Sequence, residues 1–235
     1  MKLLRTLQAP KDGNTADQYE DAWSINEAAS TLAVADGASA AIYARQWAEL
    51  LVADFAQGEP FPSGDDAFWT RVATLGAQWQ KSVGTGAKSW YALEKVPQGS
   101  QASLLVASVD LEARRLHAQA IGDVCCFLIA TDTLHYAFPL TKSKQFDTHP
   151  GLVATDPAAL KDRPKIVRFS VVLPPDARLL VMTDALAAWF LGEHERRRKP
   201  WNAFPTDMNF PGWLKGTRDS GALKNDDITL LDLLV

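Results

Sequence analysis

A chain of 235 residues with 47% hydrophobic and 22% charged residues can bury a sizeable core without disulfides or a structural metal. Its net charge of -4 disfavours a dedicated nucleic-acid binder, because phosphate backbones demand a basic footprint, and no apolar run is long enough to span a bilayer. The N-terminal stretch Met1 to Pro10 lacks the apolar segment and cleavage site of a signal peptide, and the adjacent Cys125 and Cys126 are poorly placed for a disulfide; a cytoplasmic protein with reduced thiols is expected.

The first part of the chain reads as strands: Leu3 to Leu7, Asp21 to Ile25 and Thr31 to Ala35. Ser39 reads as a helix N-cap, and behind it Ala44, Trp47, Ala48, Leu51, Val52 and Phe55 recur at helical spacing. A second helix is expected after Asp65, with Phe68, Val72, Leu75 and Trp79 on one face. Residues 84–100, rich in glycine, read mostly as a loop.

Strands return at Ser103 to Val109, Leu116 to Ala120 and Val124 to Ala130, with Tyr136 to Leu140 as an edge strand because Pro139 cannot donate to a ladder. The polar stretch Thr141 to Pro164 reads as a surface excursion, or flap-like insertion, within a single domain over residues 1–235. Ile166 to Leu173, Arg178 to Met182 and Asp227 to Val235 complete the strands. Helices are expected at Ala185 to Leu191 and Trp213 to Arg218. Strands cluster and helices cluster, which favours an α+β layered sandwich over a doubly wound parallel sheet. The basic run Arg196 to Lys199 reads as a solvated helix end, with a docking patch for an acidic partner as the sharper alternative.

Carboxylates at strand ends carry the functional signal. Asp36-Gly37 closes the apolar run Leu32 to Ala35, Asp184 closes Leu179 to Thr183, Asp226 and Asp227 open the last strand, and Glu20-Asp21 open another. A single such acid caps a turn; several gathered together repel one another unless a cation compensates them. Oxygen donors select hard ions such as Mg²⁺ or Mn²⁺. The histidines His117, His135, His149 and His194 show no zinc-ligand spacing. No Gly-x-Ser-x-Gly elbow is present, and the cysteines lie in an apolar strand, so a protein nucleophile is not indicated.

An ordered set of short motifs adds to this. Glu20-Asp21-Ala22, Val34-Ala35-Asp36-Gly37, Gly99-Ser100-Gln101-Ala102, Ala120-Ile121-Gly122-Asp123, Pro139-Leu140-Thr141, Thr183-Asp184-Ala185-Leu186 and Asp226-Asp227-Ile228-Thr229 stand in the order of E-D-A, V-A-D-G, G-S-T-A, V-G-D-S, Q-L-T, T-D-G-L and D-N-I-T. The chain therefore resembles the metal-dependent protein phosphatases of the 2C type, in a compact bacterial form. The resemblance implies a four-layer αββα sandwich with two central antiparallel sheets flanked by helices. It implies two Mn²⁺ or Mg²⁺ ions, with Asp36 bridging them, the Gly37 carbonyl on one, and Asp184 and Asp226 on the other. Glu20 and Asp21 would orient metal-bound waters or touch a metal. The implied reaction is hydrolysis of a phosphoserine or phosphothreonine in a phosphoprotein by a hydroxide bridging the ions. A cognate Ser/Thr kinase is the implied companion.

The chain also departs from that pattern. Ala16 stands where an arginine grips phosphate, and Ala38 to Ala41 replace a stretch carrying a histidine. Val96 and Ala188 stand where further aspartates would hold a third ion, so two ions are expected. Lys142, Lys144, Arg45 and Arg218 are available replacements for the missing arginine, though each also reads as an ordinary surface charge. These losses leave a second reading open: a catalytically weak or inactive regulatory or binding domain of the same fold.

Overall fold

The computed structural model describes residues 1–86, 96–146 and 150–235. His149, residues 87–95 of the expected loop and residues 147–149 of the expected excursion lie outside the described residues. The strands are β1 (Lys2–Ala9), β2 (Asp21–Asn26), β3 (Thr31–Gly37), β4 (Gln101–Asp110), β5 (Arg115–Ile121), β6 (Cys125–Ala130), β7 (Thr133–Phe138), β8 (Val153–Ala154), β9 (Val167–Val172), β10 (Arg178–Met182) and β11 (Ile228–Leu234). The helices are α1 (Ala44–Gln57), α2 (Asp65–Gly86), α3 (Asp184–Glu195) and α4 (Phe210–Asp219). Two antiparallel sheets flanked by helices make this an α+β fold, as the sequence predicts.

The chain divides into two compact units, each built from separated segments. A terminal unit takes Met1–Tyr19, Asp123–His149 and Leu173–Val235; an inner unit takes Glu20–Gly122 and Pro150–Val172. The inner unit holds the sheet β2-β3-β4-β5-β9, with β8 paired to β4. Trp47, Leu51 and Phe55 of α1, with Phe68, Val72 and Trp79 of α2, pack on Ala33, Ala35, Leu104 and Val106 of that sheet. Leu32 and Val34 point to the opposite face and are also fully buried. A strand buried on both faces reads as an unbroken apolar run, which is why β3 is plain in the sequence.

Three local expectations are corrected within this unit. Ser39 is not the cap of α1. The chain turns at Ala38 to Ala41, and the helix starts behind Tyr43, which takes a left-handed conformation with φ 52°. α2 runs on to Gly86, past the expected start of the loop at Gly84. Part of the expected surface excursion belongs to the core: β8 pairs with Gln101 and Ala102, and the buried Val153 carbonyl accepts the Trp47 indole proton at 2.8 Å. Gly76 permits this approach, since a Cβ there would lie 1.7 Å from the Thr155 carbonyl oxygen.

The terminal unit holds the sheet β1-β11-β10-β6-β7; β7 is at the edge, but it runs Thr133–Phe138 rather than Tyr136 to Leu140 and ends before Pro139. Phe190, Trp189 and Leu186 of α3 and Leu214 of α4 cover Phe127, Leu180 and Met182. The β6–β7 hairpin turns through Thr131 and Asp132, both at positive φ, the type I′ geometry that matches strand twist. Asp132 then accepts the Trp201 indole at 2.7 Å, the Asn202 amide at 3.0 Å and the Lys199 ammonium. Arg196 and Arg198 both pair with Glu193, at 2.7 and 2.6 Å. The basic run is thus largely committed inside its own unit, as the helix-end reading expects. No helix among the described residues is long and apolar enough to cross a membrane.

Candidate metal centre

In the inner unit the antiparallel register sets Asp21 of β2 directly opposite Asp36 of β3. Asp21 is buried and Asp36 half-buried. Like charges opposed across neighbouring strands are destabilising by themselves, so this placement favours a nearby cation. Gly37 follows, and its amide donates to the Glu20 carbonyl at 3.3 Å. A Cβ on Gly37 would meet that oxygen at 2.9 Å and the Ala44 backbone at 3.0 Å, so only glycine fits between the strand and the start of α1. Glu20, Asp21, Asp36 and Gly37 therefore lie together at one end of the β2–β3 pair.

In the terminal unit, β10 and β11 pair with Met182 opposite Leu230. Just beyond that pair the Thr229 amide donates to the Thr183 hydroxyl at 3.0 Å, and the Thr183 amide donates to the Thr229 carbonyl at 3.3 Å. This closure holds Asp184, the first residue of α3, beside the segment that carries Asp226. The Asp184 carboxylate accepts the Ala185 amide at 2.5 Å. Arg218 donates to the Asp226 carbonyl at 2.6 Å and the Pro10 carbonyl at 3.2 Å. Asp227 turns the other way and accepts the Lys11 amide at 2.7 Å. Of the two adjacent acids, Asp226 is thus the one directed toward Asp184.

Between them stands a residue that the sequence reading passed over. Lys224 Nζ lies 2.6 Å from Asp226 Oδ2 and 3.2 Å from Asp184 Oδ2. Burial pushes the Asp184 carboxyl above its ordinary range; Lys224 opposes this, and the charge of Asp226 adds to it. Burial alone would lower the Lys224 ammonium, but its bonds to the two carboxylates outweigh that and raise it. A lysine near an acid looks like any surface charge in a sequence, and only the β10–β11 register brings both acids to it.

The donor chemistry fits a hard divalent cation: oxygen atoms only, on rigid strand ends, with more negative charge than one ammonium cancels. Among the described residues, however, no three His, Cys, Asp or Glu side chains form a ready-made metal cage. Two of the expected phosphate-gripping cations are engaged elsewhere: Arg45 pairs with Glu49 at 2.9 Å, and Arg218 with the carbonyls above. Lys142 precedes and Lys144 lies within the short turn Ser143–Gln145, and both are exposed. Burial pushes the Cys125 thiol well up and the Cys126 thiol up to about 12, so neither is an activated nucleophile.

No family model and no curated protein sequence matches the chain. Solved structures match along nearly its whole length. The serine/threonine phosphatase Stp1 from Staphylococcus aureus aligns at 13% identity and a TM-score of 0.64, covering 100% of this chain and 96% of that one. The catalytic domain of the serine/threonine protein phosphatase PstP, in complex with two manganese ions, aligns at 18% identity and 0.59, covering 99% and 98%. PppA, a regulatory component of the type VI secretion system in Pseudomonas aeruginosa, aligns at 15% identity and 0.59, covering 97% and 96%. At this identity the likeness establishes the fold: the chain folds like these proteins along nearly its whole length.

Proposed function

We propose that residues 1–235 form one domain that hydrolyses phosphomonoesters, with phosphoserine or phosphothreonine of a protein as substrate and Mn²⁺ or Mg²⁺ as cofactor. The observation that carries this reading is that Asp184 and Asp226, at neighbouring strand ends, come close enough to share one cationic side chain, Lys224, on a fold shared with phosphatases over its full length. Asp36 and the Gly37 carbonyl would hold metal in the inner unit, Asp184 and Asp226 would hold metal in the terminal unit, and Glu20 and Asp21 would orient coordinated water. Bound there, the ions would supply Lewis-acid activation of water for attack on phosphorus.

The chain's own groups set the rest. The closure of Thr183 on Thr229 fixes the direction of Asp184. Arg218 fixes the backbone of Asp226. Lys142 and Lys144 are the cations that remain for steering an anionic peptide toward the domain. A cognate Ser/Thr kinase of the same substrate is the companion this activity calls for.

The test is release of phosphate from para-nitrophenyl phosphate and from a phosphothreonine peptide, with Mn²⁺ and with EDTA. Turnover that needs Mn²⁺ and stops in EDTA supports the reading, and turnover indifferent to both rejects it. A second reading, a regulatory or binding domain of this fold with little turnover, is favoured by Lys224, whose ammonium already neutralises part of the acid pair. Mn²⁺ binding without turnover would select it.

A further inference from the structure

We propose that Lys224 is a tethered counter-ion that competes with a divalent cation for Asp184 and Asp226, and so sets the metal concentration at which the centre fills. The inference rests on the metal-dependent reading above. Its ammonium bridges the two carboxylates, at 2.6 Å and 3.2 Å. One positive charge faces two negative ones, so a divalent ion matches the pair better than the lysine does.

The two partners differ in freedom. The acid side chains are 19% and 24% exposed and anchored at strand ends, whereas the lysine side chain is 64% exposed. Its backbone is nevertheless held. Leu223 before it is buried and donates its amide to the Thr217 carbonyl at 3.2 Å. Asn225 after it accepts the Asp12 amide at 2.7 Å. Only the four-carbon stem needs to swing for the ammonium to leave. A tethered group that returns to the same place acts at high effective concentration, so it competes far better than dissolved cations. In the metal-free protein the lysine relieves the repulsion between the acids, and metal entry must displace it.

The experiment is calorimetric titration of Mn²⁺ into the metal-free full chain, for wild type, Lys224→Met and Lys224→Arg, with circular dichroism confirming each fold. Lys224→Met is expected to bind Mn²⁺ about ten-fold tighter, roughly 1.4 kcal/mol. Lys224→Arg keeps the charge and stays near wild type. Tight binding by Lys224→Met alone, with none by wild type, supports the inference while removing metal dependence from the wild-type reading. Equal binding by wild type and Lys224→Met overturns the inference and leaves the proposed function standing. Absence of binding by all three overturns both.

Discussion

Thr183 and Thr229 close on each other through two hydrogen bonds, at 3.0 and 3.3 Å, and both side chains are fully buried. The pair sits one residue before Asp184, so it links the sheet to the acid chemistry. Thr183→Val keeps the shape but removes the acceptor and orphans the buried Thr229 amide. A loss of about 1–3 kcal/mol is expected, read by urea unfolding. Thr183→Ser, which keeps the oxygen, should recover most of it. Phosphate release should fall further in the valine variant than stability alone accounts for.

Asp36→Asn keeps the size of the side chain and removes its charge. It should lower Mn²⁺-dependent phosphate release by about a hundred-fold or more, with the fold intact by circular dichroism. Asp226→Asn should behave alike. Asp227→Asn should not, because that carboxylate holds the Lys11 amide; its effect should appear in thermal stability first.

Hydrogen bonds from Lys199, then Trp201 and Asn202, hold the Asp132 carboxyl at about 2, below its ordinary 3.8. A carboxyl lowered in the folded state contributes stability that is present above its unfolded value and lost as pH falls through its folded value. Wild type should therefore exceed Asp132→Asn in melting temperature above about pH 4, and the two should converge toward about pH 2. Parallel curves across that window would show that the hairpin turn draws nothing from this charge.

Burial holds both thiols in their protonated form, Cys126 up to about 12. Native protein at about pH 8 should resist iodoacetamide over hours, and unfolded protein should be alkylated at both positions within minutes. Mass spectrometry counts the adducts. Rapid labelling of the native chain would mean that the β6 strand opens readily.

Much of this molecule is legible in its sequence because burial imposes pattern. β10 spans the residues its apolar run predicts, Arg178–Met182, and Phe68, Val72, Leu75 and Trp79 lie on one buried face of α2. β8 is not legible, since two residues carry no period; what marks it is Gly76 on another element, opened for the Thr155 carbonyl. Of the centre, the acids themselves are visible as strand-end carboxylates. Lys224 is not, because its meaning depends on the β10–β11 register rather than on its neighbours in the chain. The same holds for Arg218, which reads as a spare cation and proves to hold backbone carbonyls.

β1 pairs with β11 along its length, from Lys2 opposite Leu234 to Ala9 opposite Ile228. On the ribosome the first strand emerges long before its partner is translated, a wait of ten seconds or more at roughly 5–20 residues per second. The sheet order β2-β3-β4-β5 demands no such delay, since its strands follow one another in time. Asp21 and Asp36 can thus be set opposite each other early in synthesis, while Asp184 and Asp226 wait for the last strand to arrive. A nascent chain halted before Ile228 would carry an unmatched β1 and an unmatched β10 edge, the state in which aggregation or chaperone capture should be greatest.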